Sequence, residues 1–316
     1  MFRQLGRSGL QVSALGFGAN ALGGDYWDRT KPVPEMAGYG PVDDAESLRA
    51  AQRALDLGVN FFDTAEEYGC GYSERIIGKA LSGCRERVIL ATKFGYTLNE
   101  TRREITGTDT SPRAVRQACE ASLRRMQTDY IDLYQLHLRQ LDLARAAEVR
   151  ETLEDLAHEG KIRYYGWSTD DPERARLFAQ GEHCAAIHHR LNLFCDHPAM
   201  LAVCAEQGLA SLNRIPLLMG ILTGRFSAEG CVPALQNSPC AQQDLEAIHA
   251  LTEVLTARRH TLVQGALAWI WTRSPLTIPI PVVRSARQVE ENAAALHKGL
   301  LTLDQMEAVE RLLGRE

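Results

Sequence analysis

The sequence predicts an α/β protein built as a (β/α)8 TIM barrel, in one domain over residues 1–316. Short apolar runs alternate with amphipathic helical stretches, and strands connected through helices pair in parallel. Eight β units in a chain of 316 residues suit a closed barrel better than an open sheet. Nearly every apolar run also ends in a polar or ionisable residue, where the loops of a barrel's C-terminal face begin.

The elements follow in order. FRQLGRSGLQVSAL, residues 2–15, reads as an N-terminal β-hairpin turning at Arg7-Ser8-Gly9 and covering the barrel floor. LGFG at 15–18 is the first barrel strand, followed by runs at 59–62, 87–92, 130–136, 161–167, 185–189, 208–212 and 277–280. Between them, Leu48, Ala51 and Leu55 share one face of a helix over 44–57. Val115, Cys119, Ser122 and Met126 do the same over 112–126, with Ser111 as cap and Pro112 in the first turn. Segments 148–158, 172–179, 241–257 and 285–296 read as further helices, and Gly160-Lys161 ends one of them. Two long loops, 24–42 and 225–240, are expected at the C-terminal face, and loops of that size are usually functional or mobile.

Composition narrows the function. The chain is 45% hydrophobic and 24% charged, as a water-soluble globular protein is. Its formal charge of -5 argues against nucleic acid or an anionic membrane surface as partner. No apolar run reaches the ~18–20 residues of a membrane span, and the N-terminal stretch has no signal-peptide apolar region, so a cytoplasmic protein is expected. The cysteines at 70, 84, 119, 184, 195, 204, 231 and 240 include no CxxC pair and read as reduced thiols. Cys184, His188, His189 and Cys195 match no usual zinc spacing, and no metal site is expected. GFGANA at 16–21 fits GxGxxA, but no helix opens inside it, as a dinucleotide-binding turn would require. Its glycines are expected to permit a tight strand exit beside a ligand.

The strand exits carry the chemistry: Asp63, Lys93, His137, Ser168-Thr169 and His188-His189. Singly, each has an ordinary reading: a turn-capping acid, a solvated lysine, a core histidine. They are too far apart for a local motif, and only a barrel brings them to one rim. A lysine at a buried strand end needs a counter-charge, which Asp63 offers. Tyr68, five residues after Asp63 in NFFDTAEEYGCG, is an adjustable acid with an unperturbed pKa of roughly 10. A neighbouring ammonium is expected to draw it toward working pH. His137 can donate a hydrogen bond to a carbonyl oxygen while neutral. Together these groups would polarise and protonate a carbonyl that receives a hydride.

These residues resemble the aldo-keto reductase superfamily. FFDTAEEYGCGYSERIIGKAL is similar to its segment around the catalytic aspartate and tyrosine, VILATKFG to its lysine strand, and DYIDLYQLH to its histidine strand. GKIRYYGWST, IPLLMGILTG and IPIPVVRSARQVEENAAAL resemble its fifth strand and its two late cofactor segments. The resemblance implies NADP(H) bound across the C-terminal rim without a Rossmann fold. It implies Tyr68 as proton donor, Lys93 and Asp63 as its tuning pair, and His137 as the carbonyl-orienting group. It implies a nicotinamide site at Ser168, Thr169, His188, Arg214, Pro216 and Leu217. The adenosine end falls to Arg284, Ser285, Gln288, Glu291 and Asn292, with Arg284 and Ser285 favouring NADP over NAD. Here the chain has Thr169, His188, Arg214 and Val282 where the family usually has asparagine, glutamine, an aromatic and glycine. The expected activity is NADPH-dependent reduction of an aldehyde or ketone. The alternatives are a sugar or alcohol dehydrogenase using the same site, and a non-enzymatic NADP(H)-binding regulatory subunit. Tyr26, Trp27, Phe94 and Arg139, with Tyr96 nearby, are expected to wall the substrate pocket and to suit a sugar-like or aromatic carbonyl compound.

Overall fold

In the computed structural model, residues 1–224, 241–257 and 259–315 are described. The hairpin pairs β1 (Phe2–Gln4) with β2 (Gln11–Ser13). The barrel strands are β3 (Gly16–Gly18), β6 (Phe61–Asp63), β7 (Ile89–Phe94), β10 (Ile131–Leu136), β11 (Ile162–Trp167), β12 (Cys184–Arg190), β13 (Ala210–Arg214) and β14 (Thr277–Pro279). They pair in parallel in that order from β3 to β14. The ring closes just beyond β14, where Gly18 bridges Val282 and its N–H donates to the Pro281 carbonyl at 3.1 Å.

That closure explains the GFGANA glycines. A Cβ on Gly18 would lie 2.8 Å from the Pro281 carbonyl oxygen, and one on Gly16 would meet Phe61 and Ile280. These glycines let the first and last strands meet; a ligand is not what they make room for. Only a short 3-10 turn (Asn20–Gly23) follows them.

Alternation along the strands separates two cores. Phe61, Ile89, Ala91, Leu133, Ala186, Leu212 and Ile278 fill the lower barrel, sealed below by Leu5 and Val12 of the hairpin. Arg3 and Arg7 fasten that floor by donating to the Thr277 carbonyl at 2.6 Å and the Cys184 carbonyl at 2.8 Å. The outward residues, among them Phe62, Phe94, Tyr134, Tyr165 and Trp167, pack beneath the helices. Phe94 therefore belongs to this outer core, its ring 4.4 Å from that of Tyr134, and not to the substrate pocket. Its neighbour Lys93 points inward, so the next residue must point outward.

Capping residues set the helix starts. Asp43 accepts from Glu46 N at the head of α1 (Asp44–Asp56), and Ser111 from Ala114 N at the head of α3 (Pro112–Met126). Asp142 caps α4 (Leu143–His158), which begins five residues before the sequence reading placed it. Asp171 and Pro172 open α5 (Pro172–Ala179). Four helices escaped that reading. Neither α2 (Tyr72–Ala80) nor α6 (Pro198–Gln207) has a side-chain cap. The helix Leu262–Arg273 is almost wholly buried and has no polar stripe to betray its period. It and Leu303–Leu312 each carry a Thr-to-Gln capping box, a signal that was available.

The segment 24–42 is not an open loop. It holds the antiparallel pair β4 (Tyr26–Asp28) and β5 (Glu35–Ala37). A second hairpin, β8 (Tyr96–Asn99) with β9 (Glu104–Thr108), extends it to a four-stranded sheet over the barrel mouth. The other long loop, 225–240, lies outside the described residues, as do Cys231 and Cys240.

A Gly18→Val substitution is expected to strain the closure and lower stability by about 1–3 kcal/mol, the usual cost of overpacking. Urea unfolding measures it, and a midpoint unchanged from the parent would reject the closing role.

Candidate active site

The upper barrel turns polar one residue at a time. Along the inward face, Phe61 gives way to Asp63, Ala91 to Lys93, Leu133 to Gln135 and then His137, and Ala186 to His188. The Lys93 side chain is fully buried, and its ammonium donates to Asp63 Oδ2 at 2.6 Å, the Thr64 carbonyl at 2.8 Å and Tyr68 Oη at 3.2 Å. All three ammonium hydrogens are used. The remaining Asp63 oxygen accepts from Gln135 Nε2 at 3.1 Å, a partner the sequence reading did not single out. Burial pushes the Asp63 carboxyl up, while Lys93 and Gln135 pull against it.

Tyr68 reaches this pair through a tight turn. Tyr68 N donates to Ala65 O, and Gly69, Cys70 and Gly71 all take positive φ. The turn is pressed against the chain that leaves β3: a Cβ on Gly23 would sit 2.5 Å from the Tyr68 carbonyl carbon, and one on Gly69 would sit 2.0 Å from the Gly23 carbonyl oxygen. The Tyr68 ring stands edge-on to His137, with centroids 5.9 Å apart. Its pKa departs from expectation: burial, then Asp63 and Glu67, hold it well above its ordinary value. Lys93 is already engaged by Asp63, so its pull on the phenol is largely offset. Tyr68 is thus a firmly protonated phenol. Burial, with Lys93, Arg139 and Arg214, keeps His137 well below the usual imidazole range and hence neutral.

Around these four, several buried polar atoms have no partner: Ser168 Oγ, both ring nitrogens of His188, and Nε and Nη1 of Arg214. Arg214 is held through its other nitrogen by Asp170, another residue missed in the sequence. The adjacent His189 turns outward and bonds Ser211 Oγ at 2.7 Å, so the His188-His189 pair divides between mouth and wall. Thr169 is committed to the strand exit, donating to the Arg139 carbonyl at 3.0 Å and accepting from Asp171 N. Its hydroxyl does not face the mouth. Trp167 likewise points outward, its indole bound to the Leu138 carbonyl.

From the mouth a groove of about 320 Å³ runs between Pro216, Leu217 and Met219 on one side and Pro281, Val282, Arg284, Gln288, Glu291 and Asn292 on the other. Tyr39 closes it, its hydroxyl 3.9 Å from the Met219 sulfur. Arg284 is exposed and donates to the Pro41 carbonyl at 2.9 Å. Ser285 caps the helix Ala286–Ala294, and Glu46, unremarked in the sequence, accepts from Ala286 N at 2.8 Å. On the substrate side, Tyr26 and Tyr96 stand by Glu67, and Arg139 lies exposed at the rim. Trp27 alternates with Tyr26 to the other face of β4, more than a third exposed under Arg29, and does not wall the pocket. Among the described residues no His, Cys, Asp or Glu cluster converges as a metal site, and no helix is long and apolar enough to cross a membrane.

The residues present fit a dinucleotide. The unpartnered donors and acceptors at Ser168, His188 and Arg214 suit a polar aromatic head, and the groove with Arg284 at its rim suits a phosphorylated tail.

Comparison with known proteins agrees. The model of the aldo/keto reductase family matches residues 14–313. The protein named "Probable aldo-keto reductase 1" of Glycine max is 31% identical, over 97% of this chain and 87% of its own length. The glycerol dehydrogenase of Gluconobacter oxydans superposes with a TM-score of 0.86 at 28% identity, covering 99% of this chain and 95% of its own. An aldo-keto reductase from Klebsiella pneumoniae, solved in complex with NADPH, gives 0.71 at 27% identity, over 100% and 96%.

Glu66, buried beneath the site, accepts from Gly95 N at 2.8 Å and Tyr96 N at 3.0 Å, and burial together with Glu74 pushes it up to about 8. A folded-state pKa raised above the unfolded one means that the native state holds the extra proton, so stability falls as pH rises through the interval up to that value. A Glu66→Gln variant keeps the acceptor oxygen and is expected to lose less stability than the parent between about pH 6 and pH 9. Equal losses in urea titrations at the two pH values would reject this.

Proposed function

The chain belongs to the aldo/keto reductase family, and on that premise we propose that it is an NADPH-dependent oxidoreductase that reduces an aldehyde or ketone to an alcohol. The observation that carries the reading is the single contact set in which Lys93 joins Asp63 and the Tyr68 hydroxyl, with His137 against the tyrosine ring. Ser168, His188 and Arg214 would hold the nicotinamide end, with Pro216 and Leu217 beside it. Arg284, Gln288, Glu291 and Asn292 would hold the adenosine end, with Ser285 ordering the helix behind them. Bound there, NADPH supplies the hydride.

The chain's own residues do the rest. His137, neutral and buried, donates a hydrogen bond to the carbonyl oxygen and so favours the charge that develops on it. Tyr68, held protonated, delivers its phenolic proton to that oxygen as the alcohol forms. The phenolate left behind sits 3.2 Å from the Lys93 ammonium, which stabilises it and keeps the transfer from stalling. Asp63 prevents that ammonium from being an unpaired buried charge and fixes its direction. Tyr26, Tyr96 and Arg139 line the approach, a polar and aromatic surface suited to sugar-like or aromatic carbonyl compounds. Likeness to a glycerol dehydrogenase favours a second reading, the same site run in the oxidising direction with Tyr68 phenolate as base.

A Tyr68→Phe variant is expected to lose about 10²–10⁴-fold in kcat for carbonyl reduction while its NADPH affinity, read from the fluorescence of the nucleotide, stays within about twofold. Turnover that survives the substitution would sink the assignment. An Arg284→Ala variant is expected to bind NADPH roughly tenfold more weakly and NADH unchanged, through loss of a charge-assisted hydrogen bond to the 2′-phosphate. Equal weakening for both nucleotides would remove Arg284 from phosphate recognition.

A further inference from the structure

The imidazole of His137 has one nitrogen without a purpose in the mechanism above. Nδ1 is screened from solvent and has no hydrogen-bond partner. Glu67 Oε2 lies 3.6 Å from it, on a side chain 15% exposed. That separation is slightly beyond a hydrogen bond, as catalytic contacts often are before substrate enters. Glu67 sits immediately before Tyr68, so the turn that places the tyrosine also places this carboxyl.

The chemistry of the ring makes the neighbour matter. A neutral imidazole has one N–H and one bare nitrogen, and what sits at one determines the other. A substrate carbonyl oxygen only accepts, so Nε2 must carry the hydrogen and Nδ1 must be the bare nitrogen. A bare buried Nδ1 requires a donor. We propose that Glu67 is a positioning residue whose protonated carboxyl donates to His137 Nδ1 and thereby fixes the tautomer that presents Nε2–H to the carbonyl. No bond to substrate forms and no proton leaves the pair. The inference rests on the role given to His137 above.

The surroundings favour this state near neutrality. Burial pushes the Glu67 carboxyl up, Lys93 on β7 and Arg139 beyond β10 pull it down, Asp28 on β4 pushes it up again, and a hydrogen bond from the Tyr96 hydroxyl lowers it, to about 7. Tyr26 on β4 and Tyr96 on β8 face it, as do Tyr68 and Cys70 on its own turn, all held as neutral acids. His137 resists protonation, so the pair is carboxyl with neutral imidazole rather than carboxylate with imidazolium. When Glu67 ionises it can only accept. It then selects the Nδ1–H form and turns a lone pair toward the carbonyl oxygen.

The test compares the pH dependence of NADPH-driven reduction of para-nitrobenzaldehyde in the parent, Glu67→Gln and Glu67→Leu. The parent's kcat is expected to fall above about pH 7, the value set by a carboxyl in this position. Glu67→Gln, whose amide donates at every pH, is expected to stay active and lose that limb. Glu67→Leu is expected to lose roughly tenfold or more at all pH values, as enzymes do when a catalytic imidazole is left in the wrong tautomer. A direct readout needs neither substrate nor cofactor: nitrogen NMR of His137, assigned by its disappearance in His137→Asn. Nε2–H at about pH 6 and Nδ1–H at about pH 8.5 are expected in the parent, and Nε2–H at both in Glu67→Gln. A parental limb persisting in Glu67→Gln, or a tautomer indifferent to pH and to the substitution, would overturn the proposal. Failure of the Tyr68→Phe experiment would instead remove the reading of the site while leaving the NMR result standing.

Discussion

The rest of the site depends on one ammonium group that water does not reach. Lys93 lies wholly inside the barrel, where an unpaired charge costs several kcal/mol. That cost obliges three oxygens to be present at fixed distances: a carboxylate from the adjoining strand, a carbonyl one residue beyond it, and the Tyr68 hydroxyl. A buried ion pair does little for net stability against an apolar replacement, but losing one partner strands the other. The pair is better understood as a device for specifying geometry, and the geometry it specifies is the position of the tyrosine.

Satisfying that constraint uses the whole molecule. The hairpin plugs the barrel with Leu5 and Val12, so the charged layer rests on a dry apolar one. The glycines of β3 let the ring close, and Gly23 and Gly69 let the chain beyond β3 lie directly against the Tyr68 turn. Glu66 pins the exit of β7 by binding the next two amides, and Glu74 joins Thr92 to Arg125 behind it. The paired hairpins over the mouth then contribute Tyr26 and Tyr96, and the chain just beyond β5 contributes Tyr39, which meets Met219 across the groove.

Electrostatically the cluster of Tyr68, Glu67 and His137 is a set of neutral groups arranged beside the paired Lys93 ammonium. Burial raises Tyr68 and Glu67 and lowers His137, all toward their uncharged forms. A site of neutral hydrogen-bond donors stabilises a negative charge that appears on an oxygen during reaction without stabilising a resting anion equally, which is what differential binding of a transition state requires.

Local sequence was enough for the barrel, because alternating βα units of this number admit few arrangements, and for the rim residues, because each apolar run ends abruptly in a polar group. It was enough for the cap at Ser111, where the chemistry is local. It did not reveal α2 or α6, which lack caps, or Leu262–Arg273, whose burial on every side erases the helical period. The outward direction of Phe94 and Trp167 depended on which strand residue faces in, which only the closed sheet decides. Tyr68's raised pKa also came from tertiary structure: sequence identified the lysine as its neighbour, but only the fold shows that Asp63 already holds that lysine and that the phenol is buried. The sequence by itself determined which chemical groups are available and roughly where each leaves its strand. The tertiary structure decided which of them meet, which are screened from water, and therefore which protonation state each adopts, because desolvation and pairing are properties of the packed interior and not of any residue alone.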